Sequence, residues 1–481
     1  MFPCIFQLIP PFLAVFFVKF HQIFLYVIKV TVQHFASSYF CFKIREMRKI
    51  GLLILLLTTY SEVFSQEVVP ISKTDLESKI IDNNPQVKMV KKEAELAQAE
   101  LLGTRAMDLP NVNASYTFSN TNNPLYAFGS KLNQARITAM DFNPDNLNNP
   151  KSISNFATKI EVQQPIINMD AVYQKKAGQV KVDALNIKTE RTREYVQFEL
   201  KKSYMMLQLA YKMLETLENA KQTTLANKKV IDNYYKNGMI QKSEVLYMDV
   251  RISEIESQIQ TAKSNVKNAS DYLYFLLNEN SDNKVLKPTE SLQYAEYIVD
   301  SNLSVNDNRK DLQAYQKYLE AYGWMIKSAK AKFLPKLNVF GSFEMYDNKL
   351  AQFNANGYLA GIQLSWNVFD GLKSKSEQEK YKAERSKAET EIEQYTKLSQ
   401  LELSKANRQI EDGQTKVSFT KQAWEQSKEA YRIRKNRYDQ GLEKSADLLS
   451  AETLMSQKEL EYEQAIFEYN TAWEYQKFLK Q

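Results

Sequence analysis

Apolar residues recur along this chain with two different periods. The first is helical. Residues 170–236 contain one glycine and no proline, and so do residues 372–438. Glycine and proline punctuate secondary structure, so such gaps predict long uninterrupted elements. As helices, each 67-residue span reaches ~100 Å at ~1.5 Å per residue. Within the first, Val196, Leu200, Ser203, Leu207, Ala210, Leu214 and Leu217 alternate steps of four and three, a heptad seam broken once by serine. In the last 30 residues, Met455, Tyr462, Ala465, Tyr469, Ala472 and Leu479 keep a similar register, with Lys458 and Gln476 in the gaps. The remaining helix surface is rich in Lys, Glu, Gln and Asn and reads as solvated. Alone, these helices fit a soluble, secreted coiled coil.

The second period is two, and it argues against that reading. Val112, Ala114, Tyr116 and Phe118 alternate with Asn111, Asn113, Ser115 and Thr117. Phe156, Ile160, Val162 and Ile166 alternate with Asn155, Lys159, Glu161 and Gln163. Leu337, Val339, Phe343 and Met345 do so with Lys336, Asn338, Ser342 and Glu344, and Tyr358, Ile362, Leu364, Trp366 and Val368 with Gly361, Gln363, Ser365 and Asn367. Period two places the two sets on opposite faces of a strand. The predicted strands are 110–119, 155–167, 335–346 and 357–369. Tilted strands of about ten residues cross an outer membrane. Four strands cannot close a barrel, and lipid does not tolerate an open edge. The barrel must therefore be shared. Two chains give eight strands and an interior filled by side chains; three give twelve and a water-filled bore. The polar inward face favours twelve.

The chain also repeats itself. "NYYKNGMIQKSEVL" at 233–246 returns as "NRYDQGLEKSADLL" at 436–449, offset by 203 residues. "LPNVN" at 109–113 returns as "LPKLN" at 334–338, and Ile160-Glu161-Val162 as Ile362-Gln363-Leu364. The two halves are 66–279 and 309–481, joined by an equatorial linker at 280–308. Each half reads helix, strand, loop, strand, long helix, turn, helix. The first hairpin has the longer loop, 120–154.

The amino terminus changes the inventory. Residues 47–65, "MRKIGLLILLLTTYSEVFS", carry a basic pair and an apolar run before a small residue, which is signal-peptide grammar. Cleavage is expected near Ser65. Residues 1–46 are expected to be upstream sequence translated ahead of the true start at Met47, not a membrane helix, because Pro10, Lys19 and His21 interrupt any apolar run of ~20 residues. Both cysteines (Cys4, Cys41) and both histidines (His21, His34) fall before residue 66. The mature chain then lacks imidazole and thiolate, which excludes Cys nucleophiles, His bases, disulfides and most zinc or copper sites. Residues 1–65 hold six of the 63 basic and two of the 57 acidic residues, leaving 57 against 55. That balance carries no nucleic-acid footprint. No enzyme motif appears and no cofactor is expected.

At this point a resemblance is specific. Leu109-Pro110, Leu334-Pro335, Gln164-Pro165, "WNVFDG" at 366–371 and the two turns Tyr235/Gly238/Glu244 and Tyr438/Gly441/Asp447 resemble, in order and spacing, the TolC family of outer-membrane efflux ducts. The resemblance covers about residues 73–481. It implies a mainly α protein with a membrane β-barrel: a homotrimer whose twelve-stranded barrel continues into a periplasmic α-barrel of long helical hairpins. It implies docking to a periplasmic adaptor and an inner-membrane pump of a tripartite efflux system, or service as the duct of a type I protein secretion system. It places Glu244, Asp447 and Tyr438 at a gated aperture. Gly238, Gly441 and Leu442 fall on turns (237–243 and 440–446) that meet the adaptor, with Tyr235 just before the first of them, and Tyr116, Phe118, Tyr358 and Trp366 at the lipid interface. Two features depart from the family: Ser450 stands where a second acid is common, and Glu443 where a basic residue sometimes occurs.

Two further signals have simpler readings. "DFNPDNLNN" at 141–149 imitates a calcium loop, but Asn146 replaces its glycine and Ser152 its last acid, so it reads as a solvated loop. Met205, Met206 and Met213 read as helix packing.

Overall fold

The computed structural model describes residues 67–80, 82–296, 304–306 and 308–481. The expected upstream segment, signal peptide and part of the linker lie outside the described residues. The described elements are β1 (Val68–Ile71), α1 (Lys73–Ile80), α2 (Pro85–Arg105), β2 (Asn111–Thr121), α3 (Pro124–Asn133), α4 (Pro144–Asn148) and β3 (Ile153–Ile167). Then come α5 (Met169–Lys236), α6 (Lys242–Leu277), β4 (Val285–Pro288), α7 (Lys310–Ala331), β5 (Lys336–Asp347), β6 (Ala355–Ser365), α8 (Lys373–Asp439) and α9 (Ser445–Lys480). Helices α5 and α8 are 68 and 67 residues long, as the gaps between breakers predicted. Among the described residues, no helix is long and apolar enough to cross a membrane.

Four strands form one antiparallel sheet in the order β2-β3-β5-β6. Its register joins like faces. Ala114 faces Ile160, Ile160 faces Phe343, and Phe343 faces Tyr358. One row over, Ser115, Lys159, Glu344 and Gly357 line up on the opposite face. The ladder shifts at Pro165, which has no N–H to donate, and a bulge results. The last strand was expected to reach 369 but stops at Ser365. Trp366 therefore lies just past the strand, with its indole Nε1 donating to the Phe333 carbonyl at 2.9 Å. The chain then turns through the left-handed Gly371 and Leu372 (φ +66° and +70°). Asp370 accepts the Ser374 N–H at 2.9 Å and so closes the first turn of α8.

The loop 120–154 contains two short helices, α3 and α4, and the stretch 141–149 is mostly exposed. Asn123 and Asn143 cap them, each followed by a proline at the first helical position. Within the calcium-like stretch, Asp141 is bound to Lys131 at 2.5 Å and to the Thr138 N–H at 2.8 Å. In the linker, β4 pairs in parallel with β1.

The helical seam packs as read: Val196, Leu200, Ser203, Leu207, Ala210 and Leu217 are buried and Leu214 half-buried. The polar positions of α9 correct the solvated-surface reading. Glu452, Glu463, Asn470, Glu474 and Gln476 are all buried, because α9 is packed between α5 and α8. Lys201 of α5 meets Glu474 at 3.2 Å, and Gln476 donates to Asn407 of α8 at 3.0 Å. Burial pushes the Glu463 carboxyl above its ordinary range. The far end of α9 is held by two arginines: Arg191 donates to the Phe478 carbonyl (3.1 Å) and Arg309 to that of Leu479 (3.3 Å). Asp311 bridges both guanidiniums at 3.1 and 2.6 Å. Burial raises its carboxyl, but Arg309, Tyr395 and Arg191 outweigh that and hold it below the usual range.

Candidate functional site

The two turns that the sequence repeats are built alike. At the end of α5, Met239 N–H donates to the Tyr234 carbonyl and Gly238 N–H to that of Tyr235, both at 2.9 Å. At the end of α8, Leu442 and Gly441 make the same two bonds, to Arg437 and Tyr438, at the same length. This is a Schellman termination, which needs a left-handed residue. Gly238 and Gly441 supply it, with φ of +71° and +72°. Each turn then exposes one apolar residue, Met239 and Leu442. Tyr235 is also exposed.

The acids follow from the same geometry. Helices α6 and α9 begin after extended residues Gln241 and Lys444, neither of which caps with its side chain. Glu244 and Asp447 occupy the third helical position, where a carboxylate is favoured by the free N–H groups, by roughly 0.3–1 kcal/mol. Asp447 is exposed and Glu244 half-buried. The structure joins Glu244 to the other hairpin: its carboxylate accepts from the Ser445 hydroxyl at the start of α9. Glu443 is held within its own hairpin by Arg434 (2.6 Å) and Arg437 (2.8 Å).

Tyr438 is buried, 4% exposed. It packs with Ile231, Met248 and Leu448, binding the ends of the two hairpins together. Its ring stands 6.1 Å from that of Tyr234. Its hydroxyl has no hydrogen-bond partner. Burial, then Tyr234 and Glu244 nearby, push its pKa up to about 12.

Sequence reasoning missed a polar cluster above the turns. Glu452 of α9 is fully buried. Thr224 of α5 donates to it at 3.2 Å, and Arg251 Nε of α6 stands 3.7 Å away. Its other oxygen, and Arg251 Nε, lack hydrogen bonds. Burial raises the Glu452 carboxyl, and Arg251 and Thr224 only partly offset it. The signal available in sequence was the repeat: Asp249, one offset of 203 earlier, pairs with Lys228 of α5 at 3.3 Å.

At the other end, the sheet exposes the expected aromatics. Tyr116, Phe118, Tyr358 and Trp366 are all exposed, Tyr358 by 85%. Tyr116, Phe118 and Tyr358 sit towards the loop end of the strands, with the Phe118 ring tilted against that of Phe156 at 4.7 Å. Trp366 sits at the helical end, so the aromatics mark two levels and not one.

The profile of a family described as outer membrane efflux protein matches residues 76–279 and 304–475. The chain is 26% identical over 164 residues to the multidrug resistance outer membrane protein MdtQ of Escherichia coli O157:H7. That match spans 33% of each chain, a third of the relative's length. Among solved structures, the CmeC outer membrane channel of Campylobacter jejuni superposes with a TM-score of 0.71 at 17% identity, over 83% of this chain and 84% of that one. The open state of the MtrE outer membrane channel of Neisseria gonorrhoeae gives 0.68 at 15% identity, over 84% and 88%. At such identities these two likenesses concern the fold.

Proposed function

From the premise that this chain belongs to the outer membrane efflux protein family, we propose that it is the outer-membrane duct of a tripartite efflux system, a passive homotrimeric channel. The observation that carries this reading is the sheet. Every residue of β2 from Asn111 to Asn120 is exposed, on both faces. β2 and β6 each leave one edge unpaired. One face is apolar and aromatic, and the other is mostly polar, with Phe340 and Leu359 among its residues. Such a sheet is unstable in water and, with open edges, in lipid as well. Closure of β6 on β2 of the next copy satisfies the edges. Three copies make twelve strands and a polar bore, and put the aromatics of both levels into the membrane interfaces.

In this reading the chain is an internal duplication, with halves near 66–279 and 309–481. The long helices carry the bore through the periplasm, and the Gly238 and Gly441 turns form its inner tip. Met239 and Leu442 meet a periplasmic adaptor, which couples the duct to an inner-membrane pump. Asp447 lines the aperture, with Glu244 beside it. Transport is driven by the pump, so the duct needs no catalytic residue or cofactor.

Mass measurement of the protein purified from outer membranes in mild detergent tests the reading, together with conductance in planar bilayers. The expected result is a trimer that forms a channel. A stable monomer with full strand content, or a trimer that never conducts, would refute it.

A further inference from the structure

The polar face of the sheet is almost uncharged. Asn113, Ser115, Thr117, Gln163, Ser342 and Gln363 are typical of it. The exceptions are concentrated. Lys159 and Glu344 face each other in one row, and Glu161 lies in the next. Lys159 Nζ stands 3.0 Å from Glu161 and 3.7 Å from Glu344. Glu344 also accepts from the Tyr346 hydroxyl. At the helical foot of the strands, Lys336 is matched by Asp170 at 3.6 Å. The opposite face of the four strands carries no charge until Asp347, which ends β5 and binds the Lys349 and Asn354 N–H groups.

We propose that Lys159, Glu161 and Glu344 form a mixed-charge belt that sets the charge preference of the barrel. This rests on the trimeric duct reading above. One lysine cannot cancel two carboxylates, so each chain leaves one surplus negative charge, and three chains make a ring of three. The side chains stay 40%, 43% and 29% exposed, so they face the bore and are not walled off from it. Every other mid-strand position facing the bore is neutral, so nothing dilutes the field. Charged rings bias which ions enter a pore, and low-dielectric walls focus that field. The favoured cargo is cationic or zwitterionic, and polyanions are retarded. The bore is wide and watery, so salt matters. The Debye length is ~8 Å at 0.15 M and ~30 Å at 0.01 M; the preference is therefore pronounced in dilute salt and fades near molar salt.

The sign of the ring can be stepped. Glu344→Gln leaves each chain neutral at the belt. Glu161→Gln with Glu344→Gln leaves a surplus positive charge. Lys159→Gln leaves two surplus negatives. Reversal potentials in a dilute KCl gradient should rank by that charge: most cation-preferring for Lys159→Gln, weaker for Glu344→Gln, and weakest for the double variant. Spermine added from the side of loop 120–154 isolates the belt from acids at the helical tip. It should block the unsubstituted channel in dilute salt, block Lys159→Gln more tightly and fail to block the double variant. Unchanged reversal potentials and unchanged block from that side across the single variants would overturn the proposal. Failure of the unsubstituted protein to conduct would instead overturn the duct reading. Trimer migration of each variant in mild detergent shows that the compared channels are assembled.

Discussion

Substituting the two ends of the Glu452–Arg251 pair should have opposite consequences. Glu452 is fully buried, yet its best partner is shared: the Thr224 hydroxyl lies 2.9 Å from the Ala220 carbonyl and 3.2 Å from Glu452. One hydroxyl proton shared between the two serves each only weakly. Arg251 stands 3.7 Å off, beyond good hydrogen-bond length, and one carboxylate oxygen has no partner. A buried polar group left unpaired costs about 1–3 kcal/mol. The attraction does not cover the desolvation, which is why the carboxyl is pushed up. Glu452→Gln removes the buried charge, keeps the shape and leaves Arg251 with Glu254 at 3.5 Å. It should be neutral or stabilising at pH 8. Arg251→Gln strips the remaining counter-charge from a buried carboxylate and should cost about 3 kcal/mol. The pH dependence follows from the raised carboxyl. Its contribution to stability is fully present below the unfolded pKa and is lost as pH rises through the folded one. Both variants should thus approach the unsubstituted protein as pH falls from 8 into the weakly acidic range. Thermal unfolding in detergent, followed by tryptophan fluorescence at pH 8, 6 and 5, measures this. A Glu452→Gln protein as unstable as Arg251→Gln at every pH would refute the reasoning and make the pair a net stabiliser.

Three other outcomes are expected. Gly238→Ala and Gly441→Ala force alanine into the left-handed region and should each lower stability by about 1–2 kcal/mol, measured by melting; an unchanged melt would mean that the turn relaxes. Asp447→Ala with Glu244→Ala should weaken cation preference and divalent-ion block in single-channel recordings, and unaltered currents would remove both acids from the aperture. Cysteine placed at Asn146 should react with a membrane-impermeant reagent on intact cells, because barrels of this kind turn their long loops outward; labelling only after the outer membrane is opened would reverse the orientation.

What was legible in this sequence depended on whether one period dominated. In β2 the apolar residues hold strict parity from Val112 to Phe118, and parity alone placed the two faces. The 67-residue gaps set α5 and α8 to within a residue or two because nothing inside them could stop a helix. The end of β6 was misread because Trp366 and Val368 continue the alternation, while Gly371 and Leu372, which turn the chain, carry no alternation at all. The short helices of loop 120–154 were legible but unread: Asn123-Pro124 and Asn143-Pro144 repeat the cap-and-proline start seen at Asn84-Pro85. The environment of Glu452 was not legible from α9. Packed between α5 and α8, that helix carries polar residues on its buried sides as well as its exposed one, and no period tells a buried carboxylate such as Glu452 from an exposed one such as Asp447. Only its partners do, and Thr224 and Arg251 lie 228 and roughly 200 residues away in sequence. The matching stretches of sequence, offset by 203 residues, narrow that distance. In the first half Asp249 meets Lys228 across one hairpin; in the second, Tyr431 stands in the lysine's place, and Glu452 turns to the other hairpin instead. At this matched pair of positions, the replacement of the lysine by Tyr431 accompanies a contact between the hairpins, and that replacement is the trace the contact leaves in the sequence.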